Sequence, residues 1–369
     1  MNLLVIITLF KIIFIRSNKI ISLYYDIDVG RPNPEFVFPK EDIHYKTYFN
    51  TYLPFSLFDT DFYHLIQSQI INTTVIHYKE KYKADFYITD IAIGNHIITQ
   101  FPLYLSRDSI SHFGDQGISL GYHFQNEDMS IVHRLYKDKV IDNLRFAFNV
   151  GNKQGGIHFG GLPEHAKIVN KGSIKIDESL PTWGFNITNI KYKGVDYKMD
   201  LPLIIHTGEF AMIYSSDVLN LMIDTFLKTE IEEEKCSVGI RAQYRERYFH
   251  CIEEVLLGKE IEFTFNNDMK IRLNFSSLFS DDRQSLVRSS IFPFYNFTGA
   301  FIGIQFVRLF DYVQFDFESK QVEFFSENIL ITNSASKGNQ VIGIICISIS
   351  LICLIMCIIL LFIFKVKLY

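Results

Sequence analysis

Apolar and polar residues alternate in short stretches along most of the chain. Four clear examples are each bounded by turn-forming residues: 86–93, 172–176, 185–192 and 259–265. Alternation with a period of two predicts strands that bury one face. Helical spacing is confined to residues 215–229 and to a short turn at about residues 128–137. The pattern therefore predicts an all-β protein with few short helices.

An apolar segment without this alternation lies near the C-terminus. Residues 341–364 carry no charge and would span about 36 Å as a helix, against a hydrocarbon core of about 30 Å. We therefore expect a transmembrane helix there, preceded by a flexible stalk at residues 327–340. The short tail at residues 365–369 contains Lys365 and Lys367, and such charges favour the cytoplasmic side. This predicts a single-pass type I membrane protein with a lumenal or extracellular ectodomain.

A second apolar run lies at the N-terminus. Residues 1–15 are apolar apart from Lys11, and small residues follow at Ser17 and Ser22. This pattern indicates a signal peptide, which we assign to residues 1–22. The alternative is a second membrane helix, which the short and interrupted run makes less favourable.

Size and composition narrow the class of protein. After the apolar ends are removed from the 369 residues, about 300 remain, which is enough for two packed lobes. The 35 Phe and 20 Tyr, against 20 Gly and 9 Pro, suit buried sheets and argue against disorder. A net charge of −5 and the lack of any cluster of basic and aromatic residues argue against a nucleic-acid partner.

Cysteine, histidine and asparagine positions bear on covalent features and metals. Cys236 and Cys251 are the cysteines outside the apolar C-terminal segment, and an even pair in an oxidising compartment predicts a disulfide. No Cys-x-x-Cys or His-x3-His spacing occurs, so we expect no metal ion and no cofactor. Four sequons would be open to glycosylation in a lumen: Asn72, Asn186, Asn274 and Asn296.

An ordered set of short motifs runs through the predicted ectodomain. A Gly-rich stretch at residues 156–161 is followed by Trp183 and then by the segment Ile204-Ile205-His206-Thr207-Gly208. Residues 115–121 precede this set, and Gly303-x-x-Phe306-x-Arg308 follows it. Together the motifs resemble those of the pepsin-like aspartic peptidases, the bilobal eukaryotic aspartic proteases. The resemblance implies a pepsin-like double β-barrel, with an N-terminal lobe at residues 23–170 and a C-terminal lobe at residues 171–326.

The second active-site loop of that family has the sequence Asp-Thr-Gly after two apolar residues. In this chain His206 stands where the resemblance puts the aspartate, and Thr207 and Gly208 complete the loop. The resemblance therefore implies that Thr207 and Gly208 line a substrate cleft. His206 replaces one of the two catalytic carboxylates.

The first active-site loop is harder to locate. Gly30-x-Pro32 resembles the family's Gly-Thr-Pro opening, and the usual distance downstream reaches Glu41, within Lys40-Glu41-Asp42-Ile43. Asp59-Thr60 is an alternative, but it lies too close to Tyr78, which matches the tyrosine of the family's flap hairpin. We therefore expect Glu41 at the first catalytic position and Tyr78 over the cleft.

Peptide hydrolysis on this scaffold needs two carboxylates that share one proton, one activating water and the other supporting the carbonyl oxygen. A histidine at position 206 removes that arrangement, and a glutamate at position 41 is longer by one methylene. We therefore expect a catalytically inactive homologue that binds a peptide or protein through the cleft between the lobes.

Three alternatives stay open at this stage. His206 facing Glu41 or Asp42 would form a His–carboxylate pair able to activate water. The family resemblance also allows an active aspartic-type endopeptidase with a divergent site. Finally, the bilobal body would serve equally as a structural surface glycoprotein whose loops meet partners.

Overall fold

The computed structural model describes the greater part of the predicted ectodomain. The described residues are 19–28, 31–32, 35–53, 55–58, 61–62, 76–78, 82–106, 117–122, 127–150, 154–167, 169–208, 213–214, 220–241, 246–251, 258–278, 287–290 and 299–332. The predicted transmembrane segment and all but the end of the predicted signal peptide lie outside these ranges. Within them, no helix is long and apolar enough to cross a membrane.

Strands dominate the described chain. They are β1 (Ile21–Asp28), β2 (Arg31–Pro32), β3 (Glu35–Phe38), β4 (Ile43–Lys46), β5 (Phe49–Asn50), β6 (Leu57–Phe58), β7 (Ile76–Tyr78), β8 (Tyr82–Ile93), β9 (His96–Ser106), β10 (Ile118–Ser119), β11 (Arg145–Val150), β12 (Gln154–Phe159), β13 (Asn170–Lys175), β14 (Gly184–Tyr192), β15 (Val195–Ile205), β16 (Ile213–Tyr214), β17 (Cys236–Arg241), β18 (Glu246–Cys251), β19 (Glu260–Phe265), β20 (Lys270–Asn274), β21 (Val287–Ser290), β22 (Ala300–Ile302), β23 (Tyr312–Asp316), β24 (Gln321–Ser326) and β25 (Leu330–Thr332). The four strands predicted from alternation correspond to β8, β13, β14 and β19.

Helices are short and few. They are α1 (Ile131–Lys137), α2 (Lys228–Glu232) and α3 (Ile304–Val307), with 3₁₀ turns at Glu127–Met129 and Phe275–Leu278 and a π-helical turn at Met222–Phe226. The hydroxyl of Ser130 accepts the backbone N–H of His133 and so caps α1. The helix predicted at residues 215–229 is correct only in part, because the helical region is split by the π turn and continues to Glu232.

A seven-stranded sheet joins the two halves of the chain. Its strand order is β13-β24-β23-β11-β12-β1-β2, so strands from before and after residue 170 lie side by side. Each half also has its own sheet. A six-stranded sheet, with the order β4-β3-β8-β9-β6 and with β7 paired to β8, belongs to the N-terminal half. A ten-stranded sheet running from β17 to β25 belongs to the C-terminal half. The described chain is bilobal and mostly β, as predicted.

Each lobe contains short parallel pairings among its mostly antiparallel strands, and one pairing in each lobe lies beside the site. In the N-terminal lobe β5 lies parallel to β10, and in the C-terminal lobe β15 lies parallel to β22. Both β5 and β15 end at a loop that turns toward the other lobe. The same arrangement therefore supports a loop in each lobe, and these two loops form the site described below.

Aromatic side chains fill the core where the lobes meet. Trp183 is fully buried, and its ring packs against Phe146, Phe315 and Phe317 at centroid distances of 6.0, 5.2 and 4.8 Å. The indole N–H of Trp183 donates to the backbone carbonyl of Leu120 at 2.7 Å. Edge-to-face aromatic pairs each contribute about 0.5–1.5 kcal/mol beyond their buried area. This core ties β10, which supports the first loop, to the C-terminal lobe.

Two predicted segments overlap strands of the structure. The stalk assigned to residues 327–340 begins too early, because Leu330–Thr332 form β25 and pair with Lys270–Arg272 of β20. Ile21 and Ser22, which fall within the predicted signal peptide of residues 1–22, pair with Phe159 and His158 of β12. The alternation at Leu330–Thr332 is too short to be recognised as a strand from the sequence.

The predicted disulfide is confirmed. Cys236 and Cys251 lie directly opposite each other at the open end of the β17–β18 hairpin and are bonded through their sulfurs. Both side chains are buried. The disulfide closes a loop that contains residues outside the described ranges, and in the chain-entropy model such a loop is stabilised by about 3 kcal/mol.

Candidate functional site

The loop after β15 carries His206, Thr207 and Gly208. The backbone N–H of His206 donates to the carbonyl of Ile302 at 2.9 Å, which continues the parallel pairing of β15 with β22. His206 and Thr207 are only 1% and 2% exposed. The loop is therefore held rigidly at the inner surface of the C-terminal lobe.

Thr207 contacts an equivalent loop in the other lobe through reciprocal hydrogen bonds. The N–H of Thr207 donates to the hydroxyl of Thr51, and the N–H of Thr51 donates to the hydroxyl of Thr207, each at 3.1 Å. The two hydroxyls then donate across the interface, from Thr51 to the carbonyl of Ile205 at 2.7 Å and from Thr207 to that of Phe49 at 2.8 Å. Each threonine hydroxyl thus accepts one hydrogen bond from the other lobe and donates one to it.

This symmetry identifies the first loop as Asn50-Thr51-Tyr52. Asn50 precedes Thr51 as His206 precedes Thr207. Asn50 is the last residue of β5 and His206 directly follows β15, and both strands have a parallel partner within their own lobe. The expectation that Glu41 occupies the first catalytic position is therefore wrong: the residue opposite His206 in the paired loops is Asn50. Sequence reasoning missed Asn50, although the order apolar residue, polar residue, threonine at Phe49-Asn50-Thr51 matches that at Ile205-His206-Thr207.

Glu41 lies instead in the turn between β3 and β4. Its Oε1 accepts hydrogen bonds from the hydroxyls of Tyr87 and Thr89 on β8, both at 2.7 Å. Burial raises the pKa of Tyr87 well above its ordinary value, and the hydrogen bond and negative charge of Glu41 raise it further. Glu41 therefore holds the β3–β4 turn onto β8. The proposed pairing of His206 with Glu41 is not formed.

Asn50 is fully buried and stabilises its own loop. Its side-chain oxygen accepts the backbone N–H of Tyr52 at 2.9 Å, the geometry of an Asx turn. An aspartate carboxylate would accept the same hydrogen bond, so the shape of this loop does not depend on the amide nitrogen of Asn50. The site consequently has an amide and an imidazole at its two central positions.

Tyr52 covers the second loop. Its ring stacks on that of His206 at a centroid distance of 4.7 Å and an interplanar angle of 16°. Phe301 of β22 meets both rings edge-on, at 5.5 Å from Tyr52 and 5.9 Å from His206. Tyr52 is the third residue of its loop, where the other loop has Gly208. A large ring thus lies where a glycine would leave room for water and substrate.

Two glycines allow the strand β10 to approach the first loop. A Cβ at Gly121 would lie 2.4 Å from the carbonyl oxygen of Leu53, and one at Gly117, where φ is +128°, would lie 2.3 Å from that of Tyr48. The hydroxyl of Ser119 between them donates to the carbonyl of Leu53. The described part of the motif, residues 117–121, therefore supports the back of the first loop.

Tyr78, the tyrosine predicted to lie over the cleft, belongs to another part of the N-terminal lobe. Tyr78 ends β7 and pairs with Tyr82 of β8, so the backbone forms a hairpin at the position expected of the flap. The side chain of Tyr78 lies outside the description, and its contact with a ligand stays a prediction.

In the described part of the chain, no three His, Cys, Asp or Glu side chains are grouped as metal ligands.

The sequons differ in exposure. Asn274 ends β20 with an exposed side chain. Asn186 lies within β14, is half-buried, and donates from its amide nitrogen to Asp177 at 3.4 Å. Asn72 and Asn296 lie outside the described residues.

Comparison with known proteins supports the fold. No family model matches this sequence, and no curated protein matches it. Among solved structures, the aspartic proteinase from Irpex lacteus superposes with a TM-score of 0.61 at 11% sequence identity, over 84% of this chain and 98% of that one. At this identity the likeness concerns the fold alone. The described chain has the fold of a pepsin-like aspartic proteinase.

Proposed function

We propose that this protein is a membrane-anchored, pepsin-like homologue that does not hydrolyse peptides and instead binds an extended peptide or protein segment between its lobes. The observation that carries the proposal is the identity of the residues before the paired threonines. Those residues are Asn50 and His206, and neither supplies a carboxylate.

The chemical argument follows from the shared proton. Two carboxylates close together ionise in separate steps, so one is a base while the other is an acid. An amide neither gains nor loses a proton in the accessible range, so Asn50 cannot take either role. Stacking of Tyr52 on His206 further keeps the imidazole away from a water molecule between the lobes.

Binding is favoured by the parts of the scaffold that remain. The Thr51–Thr207 hydrogen bonds fix the lobes relative to each other, so a peptide groove between them would be preorganised. The β7–β8 hairpin supplies strand backbone at the position of the flap. Extended peptides bind such edges through main-chain hydrogen bonds and place alternate side chains in pockets.

The ectodomain is proposed to lie in the lumen or outside the cell, with residues 341–364 as the anchor. The disulfide between Cys236 and Cys251 agrees with an oxidising compartment. No cofactor is needed for this function.

One observation favours a purely structural role as second candidate. His206 is 1% exposed beneath Tyr52, so the centre of the site is already filled by the protein's own side chains. A surface glycoprotein that uses the bilobal body only as a stable support would show the same filling. An active endopeptidase of divergent mechanism has no such support in the described residues.

Peptide binding separates the two candidates. Peptides are selected from a displayed library on the full-length chain in detergent, and the affinity of the best sequence is measured for wild type, Tyr52→Ala and Tyr136→Ala. Tyr136 is exposed on α1 and serves as the control. We expect at least a tenfold change in Kd for Tyr52→Ala and none for Tyr136→Ala. If no peptide binds with a Kd below about 1 mM, the result favours the structural role over peptide binding.

A further inference from the structure

A buried histidine lies in the sheet that joins the lobes, away from the paired loops. His158 of β12 is 1% exposed and lies directly opposite Ser22 of β1. Its Nδ1 lies 2.8 Å from the hydroxyl oxygen of Ser22. Because β1 lies beside β12 in the sheet, this hydrogen bond is a side-chain link between the N-terminal strand and the rest of the sheet.

The groups around the ring are mostly uncharged. On the other side of His158 in the sheet lies Ala147 of β11, and the ring of Tyr312 of β23 lies 5.9 Å away. Burial is the main effect that disfavours a charge on the imidazole, and the electrostatic effect of His165, in the segment after β12, acts in the same direction. Protonation of His158 is therefore unfavourable while β1 is paired with β12.

Two carboxylates on this sheet are paired with other residues. Arg145 of β11 pairs with Asp316 of β23 at 3.3 Å. Glu323 of β24 pairs with Lys171 and also accepts from Gln314, which lies beside Ala147. Neither carboxylate is available to compensate a charge on His158 without breaking a contact of its own.

We propose that His158 acts as an acid-sensitive latch. In this role, protonation of its ring weakens the attachment of β1 to the seven-stranded sheet that joins the lobes. This goes beyond the proposed peptide binding and does not depend on it. When β1 detaches, the imidazole loses Ser22 and gains water, so the charged ring is tolerated in the open state. Acid then favours the open state over the closed one.

The effect of pH on the opening of β1 follows from the difference between the pKa of His158 in the closed state and in the open state. Burial, with a smaller effect of His165, lowers the pKa of His158 to about 4 in the closed state, whereas the open state has an ordinary value of about 6.5. The closed state is fully favoured above pH 6.5 and loses that advantage as the pH falls toward 4. Between pH 7 and pH 5, these two values predict about a twentyfold rise in the fraction of open molecules.

Amide hydrogen exchange measures this opening directly. The full-length chain in detergent is exchanged at pH 7 and pH 5, and the rates of the peptide covering β1 are corrected for intrinsic exchange. We expect exchange of β1 to rise by at least about tenfold at pH 5. Peptides from β14 and β19, in the C-terminal sheet, should not change, which distinguishes the latch from general acid unfolding.

Three variants test the role of His158. His158→Gln keeps a hydrogen-bonding side chain but does not titrate, so exchange of β1 should become independent of pH. The matched control is His133→Gln, because burial also lowers the pKa of His133 on α1 and its loss should leave the rise intact. Ser22→Ala should speed exchange at both pH values while the dependence on pH remains.

The proposal is overturned if β1 of the wild type exchanges equally at the two pH values, or if His158→Gln retains the rise. If His158→Gln does not fold, the wild type and Ser22→Ala still decide the question.

Discussion

The hydroxyl oxygens of Thr51 and Thr207 each accept the backbone N–H of the other residue, at 3.1 Å in both directions. The two residues are far apart in sequence and belong to different lobes. Their reciprocal contact defines the centre of the molecule and shows which residues stand on either side of it.

Removing one hydroxyl of the pair should destabilise the protein. Thr207→Val keeps the shape but leaves the N–H of Thr51 and the carbonyl of Phe49 without partners in a buried place. We expect a loss of about 2–3 kcal/mol in the free energy of unfolding, measured by urea denaturation. Thr229→Val at an exposed position of α2 is the control and should change stability by less than about 0.5 kcal/mol. Equal effects of the two substitutions would show that the contact between lobes is unimportant.

Glu41 should behave as a structural residue. Glu41→Ala removes the acceptor of the Tyr87 and Thr89 hydroxyls and should cost about 1–3 kcal/mol of stability. Glu41→Gln keeps an oxygen at the same place and should cost less than half as much. Denaturation of the two variants side by side tests the assignment. A similar loss for both would mean that the charge, and not the acceptor, is what matters.

Glycosylation should discriminate between the two described sequons. In a eukaryotic secretory expression system, we expect glycan on Asn274, whose side chain is exposed, and little or none on Asn186, whose amide nitrogen is engaged by Asp177. Mass spectrometry of glycosidase-treated peptides measures the occupancy of each site. Full occupancy of Asn186 with none on Asn274 would contradict the exposure seen in the structure.

The N-terminus of the mature protein should precede β1. Cleavage after Ser22 would remove Ile21 and the residue that bonds His158, and would also remove the backbone N–H of Lys19, which donates to Asp142 at 3.0 Å. We expect cleavage after Ser17, so that the whole of β1 is retained. N-terminal sequencing of the secreted or membrane-bound protein decides this, and a first residue at position 23 would show that the link to His158 is absent from the mature protein.

Much of the fold was predictable because the alternation within a strand and the even number of cysteines can be read directly from the sequence. The strands β8, β13, β14 and β19 follow from alternation, and the bond between Cys236 and Cys251 follows from the number of cysteines outside the apolar C-terminal segment. Short strands such as β25 contain too few residues to show a period. They form because neighbouring strands supply hydrogen-bond partners, which the sequence alone does not reveal.

The site was predictable in one lobe and not in the other. His206 lies between two apolar residues and Thr207-Gly208, so its loop keeps most of the familiar pattern. In the N-terminal lobe Tyr52 replaces the glycine, and counting from Gly30-x-Pro32 led to Glu41. The count failed because the hairpin of β3 and β4 lies between that motif and the loop. Only the contact of Thr51 with Thr207 identifies Asn50.

The central claim is that a site with Asn50 and His206 at its centre does not hydrolyse peptides. The most direct test incubates the full-length wild-type chain with a mixed peptide library from pH 3 to pH 7 and analyses the products by mass spectrometry. An active aspartic peptidase and an active-site-directed inhibitor serve as controls. We predict no inhibitor-sensitive cleavage by the folded protein at any pH. Cleavage that the inhibitor blocks, and that Asn50→Ala or His206→Ala abolishes, would contradict the account.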